Sequence, residues 1–236
     1  LDHLLNSIML EHADTAIPSI DKLHPSLRAA YPAISAAASL AELLGSADLV
    51  EGPNIRWVRE LVTDYGGGVF SFPYLAPWYC GRLVQELSGA GYDVNEAEPP
   101  EARIPEIVLR MRSKPLHDAL HVLWEQTCIP LAKLLWNLEP VSCGTIQAAQ
   151  YTPSGIAGTA MHHDQDSDVT LVVNLGTEFE GGGTEVAAGL LDGARITVPP
   201  LPVGHAMFFL GRTRMHRGLP VTKGVRTLLV HWSNVA

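Results

Sequence analysis

"MHHDQDSDVTLVVNLG", residues 161–176, sets two histidines and three aspartates directly before a run rich in β-branched residues. Val169, Thr170, Val172 and Val173 favour an extended backbone. Alternate residues of a strand share a face. Thr170, Val172 and Asn174 then form one face, and Leu171, Val173 and Leu175 the other. The second set is expected in a hydrophobic layer between two sheets, and the first set faces a pocket. The charged residues stand at the mouth of this strand. His162 and Asp164 are two residues apart, so on extended backbone they point the same way, about 6.5–7 Å apart along the chain. Side chains of that length can converge on one metal ion.

The β texture continues outward from this stretch. "GTIQAAQY", "GTEVAA", "ARITVPP", "HAMFFLG" and "VRTLLVHWS" are short, β-rich and separated by Gly or Pro. Several short strands so spaced suggest a sandwich, jelly roll or barrel after about residue 140. The preceding chain reads helical. Ser26 can cap a helix through "LRAAYPAISAAASLAELLGS", with a break at Pro32 and a stop at Gly45. "NIRWVRELVTDYGGG" reads as a short helix ending at Gly66, and "GVFSFPYL" as a strand. "APWYCGRLVQELSGAG" reads as a helix with Trp78, Leu83, Val84 and Leu87 on its apolar face. "SKPLHDALHVLWEQTCIPLAKLLWNL" reads as a long helix interrupted near Pro130. The class is therefore α+β, helices first and an all-β core after them.

A metal held by His162 and Asp164 needs a third ligand, and "GRTRMHRGLP" offers His216. Two imidazoles and one carboxylate on one side of a metal leave three positions open, the facial arrangement of non-haem iron(II) oxygenases. A His-x-Asp pair alone is common on surface loops, and His163, Asp166 and Asp168 compete for the same role. The second half of the chain adds weight. Arg226 follows His216 by ten residues and starts an apolar strand, "VRTLLVHW". A guanidinium there needs a partner, and it can hold a carboxylate through two parallel hydrogen bonds.

With those residues in place, the chain resembles the 2-oxoglutarate- and iron(II)-dependent dioxygenases of the prolyl/lysyl hydroxylase type, nearest to the catalytic domain of procollagen lysyl hydroxylases. The resemblance rests on "QYTPSG", "MHHD", "FEGGGTEV" and "GRTRMHRGLPVTKGVRTLLVHW", in that order, and covers residues 140–236. "GVFSFPYLAPWYCGRLVQEL" is similar to the strand and helix that open that domain. Two features depart from lysyl hydroxylases: Thr184 stands where they carry a cysteine, and the run after the metal pair looks nearer to other branches.

The resemblance implies a double-stranded β-helix (jelly-roll) core over residues 66–236; residues 1–65 match no part of that family, and their helical texture makes them an expected N-terminal extension. It implies Fe(II) on His162, Asp164 and His216, and 2-oxoglutarate with its distal carboxylate on Arg226. Tyr151 and Asn174 are candidate further contacts to that co-substrate. Dioxygen is the oxidant, and ascorbate a supporting reductant. The reaction is hydroxylation of an unactivated C–H bond, with no general base required. A lysyl or prolyl residue of a peptide is the expected substrate, a free amino acid or other small molecule the alternative. Asp166, Asp168, Glu178 and Glu180 could receive a cationic substrate. His163 is expected at the rim or in a structural role, and His205 and His231 as ordinary half-buried residues. Gly181–Gly183 read as a flexible turn beside the pocket.

Composition sets the remaining limits. Of 236 residues, 16 are Lys or Arg and 25 Asp or Glu, a net charge of −9 with no basic stripe, so nucleic acid is not an expected partner. The three cysteines, Cys80, Cys128 and Cys143, form neither a disulfide framework nor a CxxC pair. No membrane span is expected. The absence of an Asn-x-Ser/Thr sequon leans towards a cytoplasmic rather than a secretory protein. Two readings compete with the oxygenase: a non-catalytic double-stranded β-helix binding domain, and a zinc hydrolase on a similar barrel, which would not need Arg226. Oligomeric state is not legible.

Overall fold

A seven-stranded antiparallel sheet organises the protein. Its strands are β1 (Thr63–Asp64), β2 (Val69–Pro73), β3 (Glu106–Val108), β4 (Pro140–Tyr151), β5 (Val169–Asn174), β9 (His205–Phe209) and β12 (Arg226–Val235). Their spatial order is β1-β2-β9-β5-β12-β4-β3. A smaller sheet has the order β10-β7-β8, from β7 (Thr184–Ala187), β8 (Arg195–Val198) and β10 (His216–Gly218), and β6 (Phe179–Gly181) pairs with β11 (Val221–Gly224). Among the described residues, a 3-10 turn at Ile20–Lys22 and four α-helices accompany the sheets: α1 (Pro25–Ala36), α2 (Pro77–Ala90), α3 (Leu109–Arg112) and α4 (Lys114–Trp136). This computed structural model describes residues 15–36, 60–96, 103–176, 178–189 and 193–235. The fold is the α+β double-stranded β-helix expected.

The large sheet has two chemically different faces. On one, Ile146 and Ala148 of β4, Leu171 and Val173 of β5, Phe208 of β9 and Leu229 of β12 pack with the helices' Leu83, Leu120, Leu123 and Trp124. This is the main hydrophobic core. Leu171, Val173 and Leu175 therefore lie in a sheet–helix layer, not between two sheets as the alternation alone suggested. The opposite face meets the small sheet through a lesser apolar cluster, with Val69, Met207 and Phe209 against Val186 and Val198. The rest of that inter-sheet space is a cavity.

The long α4 differs from the sequence expectation. It runs unbroken from Lys114 to Trp136 with Pro130 inside. Ser113 caps its start, its side chain accepting from Leu116 N–H, and Asn137 closes it in the left-handed conformation. Leu123, Thr127, Cys128, Leu131 and Ala132 hold both sides of Pro130 in the core, so packing overrides the lost hydrogen bond. Helix α1 likewise passes through Pro32, and it begins at Pro25 rather than at a Ser26 cap. Its continuation to Gly45 lies outside the described residues, as do residues 54–59 of the helix expected before Gly66; Glu60 and Leu61 there are helical, but Thr63–Asp64 is already a strand against β2. In α2 the buried face is Tyr79, Cys80, Leu83 and Leu87, while Trp78 points outward. Of the N-terminal segment, Leu23, Leu27 and Ala30 belong to the main core. Among the described residues, no helix is long and apolar enough to cross a membrane.

Candidate metal centre and anion anchor

The segment before β5 is fixed to the small sheet. His162 and His216 exchange backbone hydrogen bonds of 2.9 and 2.8 Å, and Thr159 makes two more with Gly218, through its N–H and its hydroxyl. Asp164 N–H donates to Gly211 carbonyl at 3.1 Å. These bonds bring His162, Asp164 and His216 together, with one ligand atom of each within 4.8 Å of the others. Asp164 Oδ1 lies 3.8 Å from His162 Nε2 and 3.6 Å from His216 Nε2.

The outer contacts aim this set. His162 Nδ1 lies 2.9 Å from Ala160 carbonyl and His216 Nδ1 2.9 Å from Arg214 carbonyl. A carbonyl only accepts, so each Nδ1 carries the proton and each Nε2 presents a lone pair to the shared point. Thr170 Oγ1 donates to Asp164 Oδ2 at 2.6 Å, leaving Oδ1 for the same point. Burial draws the His216 imidazole below its ordinary pKa, against the opposing pull of Asp164, so it stays neutral. His162 is the exposed member of the set.

The cluster opens into a cavity of about 580 Å³ between the sheets. Thr170 and Val172 line it from β5, Tyr151 from β4, and Arg226, Val230 and Trp232 from β12. Arg226 is 6% exposed. Its Nη1 donates to Gly183 carbonyl at 2.9 Å, its Nε is buried without a partner, and no carboxylate pairs with it among the described residues. Burial lowers its pKa, but a guanidinium this basic stays charged. Tyr151 stands directly opposite in register. Burial pushes its phenol up to about 12, with Arg226 pulling the other way, so it remains an O–H donor.

The three glycines 181–183 form the cradle of this arginine. All have positive φ, +78°, +77° and +97°. A Cβ on Gly182 would lie 3.2 Å from Arg226 Cδ, and one on Gly183 2.7 Å from Val198 carbonyl. The run allows close approach of the backbone to Arg226 and to β8.

Asn174 shares the face of Thr170 and Val172 but borders a small pocket beside Arg226, not the large cavity. Its Nδ2 donates to Gly176 and Leu201 carbonyls at 3.0 and 2.7 Å. Of the four acids named as receivers of a cation, Asp166 alone lines the cavity. Asp168 pairs with Arg212 at 2.6 Å, Glu180 with Lys223 at 2.7 Å, and Glu178 is outside the lining. His163 is exposed at the cavity wall. His231 is fully buried, not half-buried, and His205 packs edge-on against His24. Sequence reasoning missed Glu106 and Gln147, which line the cavity beside Tyr151. Gln147, Ala149 and Tyr151 alternate along β4, so Tyr151 itself was the signal.

No family model matches the chain. Among characterised proteins, it is 25% identical over 179 residues to a multifunctional procollagen lysine hydroxylase and glycosyltransferase of Caenorhabditis elegans, covering 70% of this chain and 24% of that one. It is 27% identical over 174 residues to the procollagen lysine hydroxylase and glycosyltransferase LH3 of Rattus norvegicus, covering 69% and 23%. The chain thus matches about a quarter of the length of these relatives. A Pseudomonas putida prolyl-4-hydroxylase structure superposes with a TM-score of 0.55 at 18% identity, over 72% of this chain and 93% of that one. A 2OG-Fe(II) oxygenase family oxidoreductase from Burkholderia pseudomallei gives 0.56 at 14%, over 84% and 92%. In sequence this chain is similar to procollagen lysyl hydroxylases, and in fold to prolyl hydroxylases and other 2OG-Fe(II) oxygenases.

Proposed function

We propose that this chain is an Fe(II)- and 2-oxoglutarate-dependent dioxygenase that hydroxylates an unactivated C–H bond, of a lysyl or prolyl residue in a peptide. The observation that carries the reading is Arg226. A buried cation without a carboxylate partner, in the same cavity as a His-Asp-His cluster, calls for an anionic ligand that spans the two. A zinc hydrolase has no use for this arginine. A binding domain has no use for three ligands oriented by outer hydrogen bonds.

The donor set, two imidazole nitrogens and one carboxylate oxygen, fits a ferrous ion with coordination positions left open. His162, Asp164 and His216 would hold it. When bound, iron(II) and 2-oxoglutarate supply the oxidising chemistry, with dioxygen as oxidant, and release succinate and carbon dioxide. The chain's own residues do the rest. Arg226 and the Tyr151 hydroxyl bind the distal carboxylate of the co-substrate and set its reach to the metal. Thr170 holds Asp164 in its orientation. Val172, Val230 and Trp232 exclude water around the reacting C–H bond.

The test is succinate formation from 2-oxoglutarate with added iron(II) and ascorbate. Lysine- and proline-containing peptides are offered to the wild type and to His162→Ala. Turnover that depends on His162 supports the oxygenase, and the stimulating peptide names the substrate class. Failure of 2-oxoglutarate to bind in the presence of metal sinks it.

A further inference from the structure

We propose that Gln147 and Glu106 form a subsite for the ammonium group of a substrate, deepening the oxygenase reading above and resting on it. Gln147 is 5% exposed and lines the cavity. Its Nε2 donates to Glu106 Oε2, while its Oε1 is buried without any hydrogen-bond partner. The amide cannot be turned round: that would set Oε1 against the carboxylate, two acceptors facing each other. Glu106 therefore fixes the amide of Gln147, a residue of the cavity wall, with its Oε1 buried and unsatisfied. A buried acceptor left open is costly, and an N–H donor removes the cost.

The position suits a second ligand rather than the co-substrate. Gln147 stands opposite Val230, two same-face steps along β12 from Arg226 and one from Trp232. Each step is about 7 Å. Glu106 stands opposite Ala149, held in place by paired backbone hydrogen bonds to Asp93. The cavity thus has donors at one end, Arg226 and Tyr151, and acceptors at its flank, Glu106 and Gln147. An anion belongs at the first. A carboxylate beside an unpaired amide oxygen repels anions and attracts a cation with N–H groups. Ile104, Leu228 and Val230 between them offer an apolar wall for methylenes. A primary ammonium on an aliphatic stem matches both surfaces. A prolyl ring matches only the wall.

The experiment measures binding, without turnover, of a short neutral peptide carrying one lysine and of its norleucine counterpart. Calorimetry is done anaerobically on the full chain with iron(II) and 2-oxoglutarate. The wild type should prefer the lysine peptide by about ten-fold or more, the range of a charge-assisted hydrogen bond. Glu106→Gln and Gln147→Leu should each erase that preference while the norleucine peptide binds as before. Equal binding of the two peptides by the wild type, no binding of either, or a preference that survives both substitutions overturns the subsite. A separate titration with 2-oxoglutarate judges the oxygenase reading. If it does not bind, that reading falls, and the lysine preference measured without it still decides the subsite.

Discussion

Thr170 Oγ1 donates a 2.6 Å hydrogen bond to Asp164 Oδ2, and this bond joins the His162–Asp164–His216 cluster to the first inward residue of β5. The carboxylate is thereby divided: Oδ2 answers to the sheet, Oδ1 to the two histidines. Thr170→Val keeps the shape and removes the donor. Outer partners of metal ligands are worth about 10–100-fold in affinity. Iron(II) binding by Thr170→Val should weaken by that order with Tm of the metal-free protein little changed. Titration of iron(II) under nitrogen measures it, and wild-type affinity in the variant would remove Thr170 from the site.

Gly211 guards the same pair from behind. A Cβ there would collide with Thr170 Oγ1 and stand 2.9 Å from Asp164 Cβ and Oδ2. Its carbonyl also accepts from Asp164 N–H. Gly211→Ala should therefore cost metal binding more than Thr170→Val does, because it displaces the ligand as well as its partner. It should also lower stability by about 1–3 kcal/mol, the usual cost of overpacking. Urea unfolding and metal titration check the two effects separately.

Arg226 should show opposite signs in the free and loaded protein. Its buried charge has no carboxylate to meet it among the described residues. Arg226→Met keeps the stem and removes that charge. The free protein should then melt at the same temperature or higher. The rise in Tm that 2-oxoglutarate gives the metal-loaded wild type should vanish. A variant that melts well below the wild type in both states would mean that Arg226 serves the fold.

His231 predicts an acid limb. It is fully buried, and burial is the main cause that lowers its pKa to about 3, with His117 and His121 adding to the shift. The folded value lies below the unfolded one, so the unfolded chain takes up the proton first as pH falls. Stability contributed by the neutral ring is complete above about pH 6.5 and lost as pH drops towards 3. From pH 7 to pH 5 this one group removes about 2 kcal/mol. His231→Leu should flatten that part of the profile. Urea unfolding of the metal-free protein at the two pH values is the measurement, and an unchanged slope would acquit His231.

Much of this was legible in the chain because period and chemistry coincide at 161–176. The β-branched alternation gave strand β5 and its faces, and His162, Asp164, His216 and Arg226 stand out as charge against apolar strands. What was not legible depends on tertiary packing. Pro130 looked like a break, yet its flanks are buried firmly enough to carry the helix through. The alternation put Asn174 on the inward face correctly, but only the fold shows Leu201 capping that end and taking its amide hydrogen. Strands β3, β6, β10 and β11 are three or four residues each, too short for any period to declare itself. Glu106 sits on one of them, so its meeting with Gln147 across 41 residues had no local sign.

The large sheet is a partition with a dry side and a working side, and parity along each strand decides which side a residue belongs to. In β12, Leu229 and His231 face the helices, while Arg226, Leu228, Val230 and Trp232 face the cavity. Foldability and chemical choice are therefore written in alternate letters of the same words. Descendants of this chain can revise what they bind by changing one set, and leave the other to keep the molecule whole.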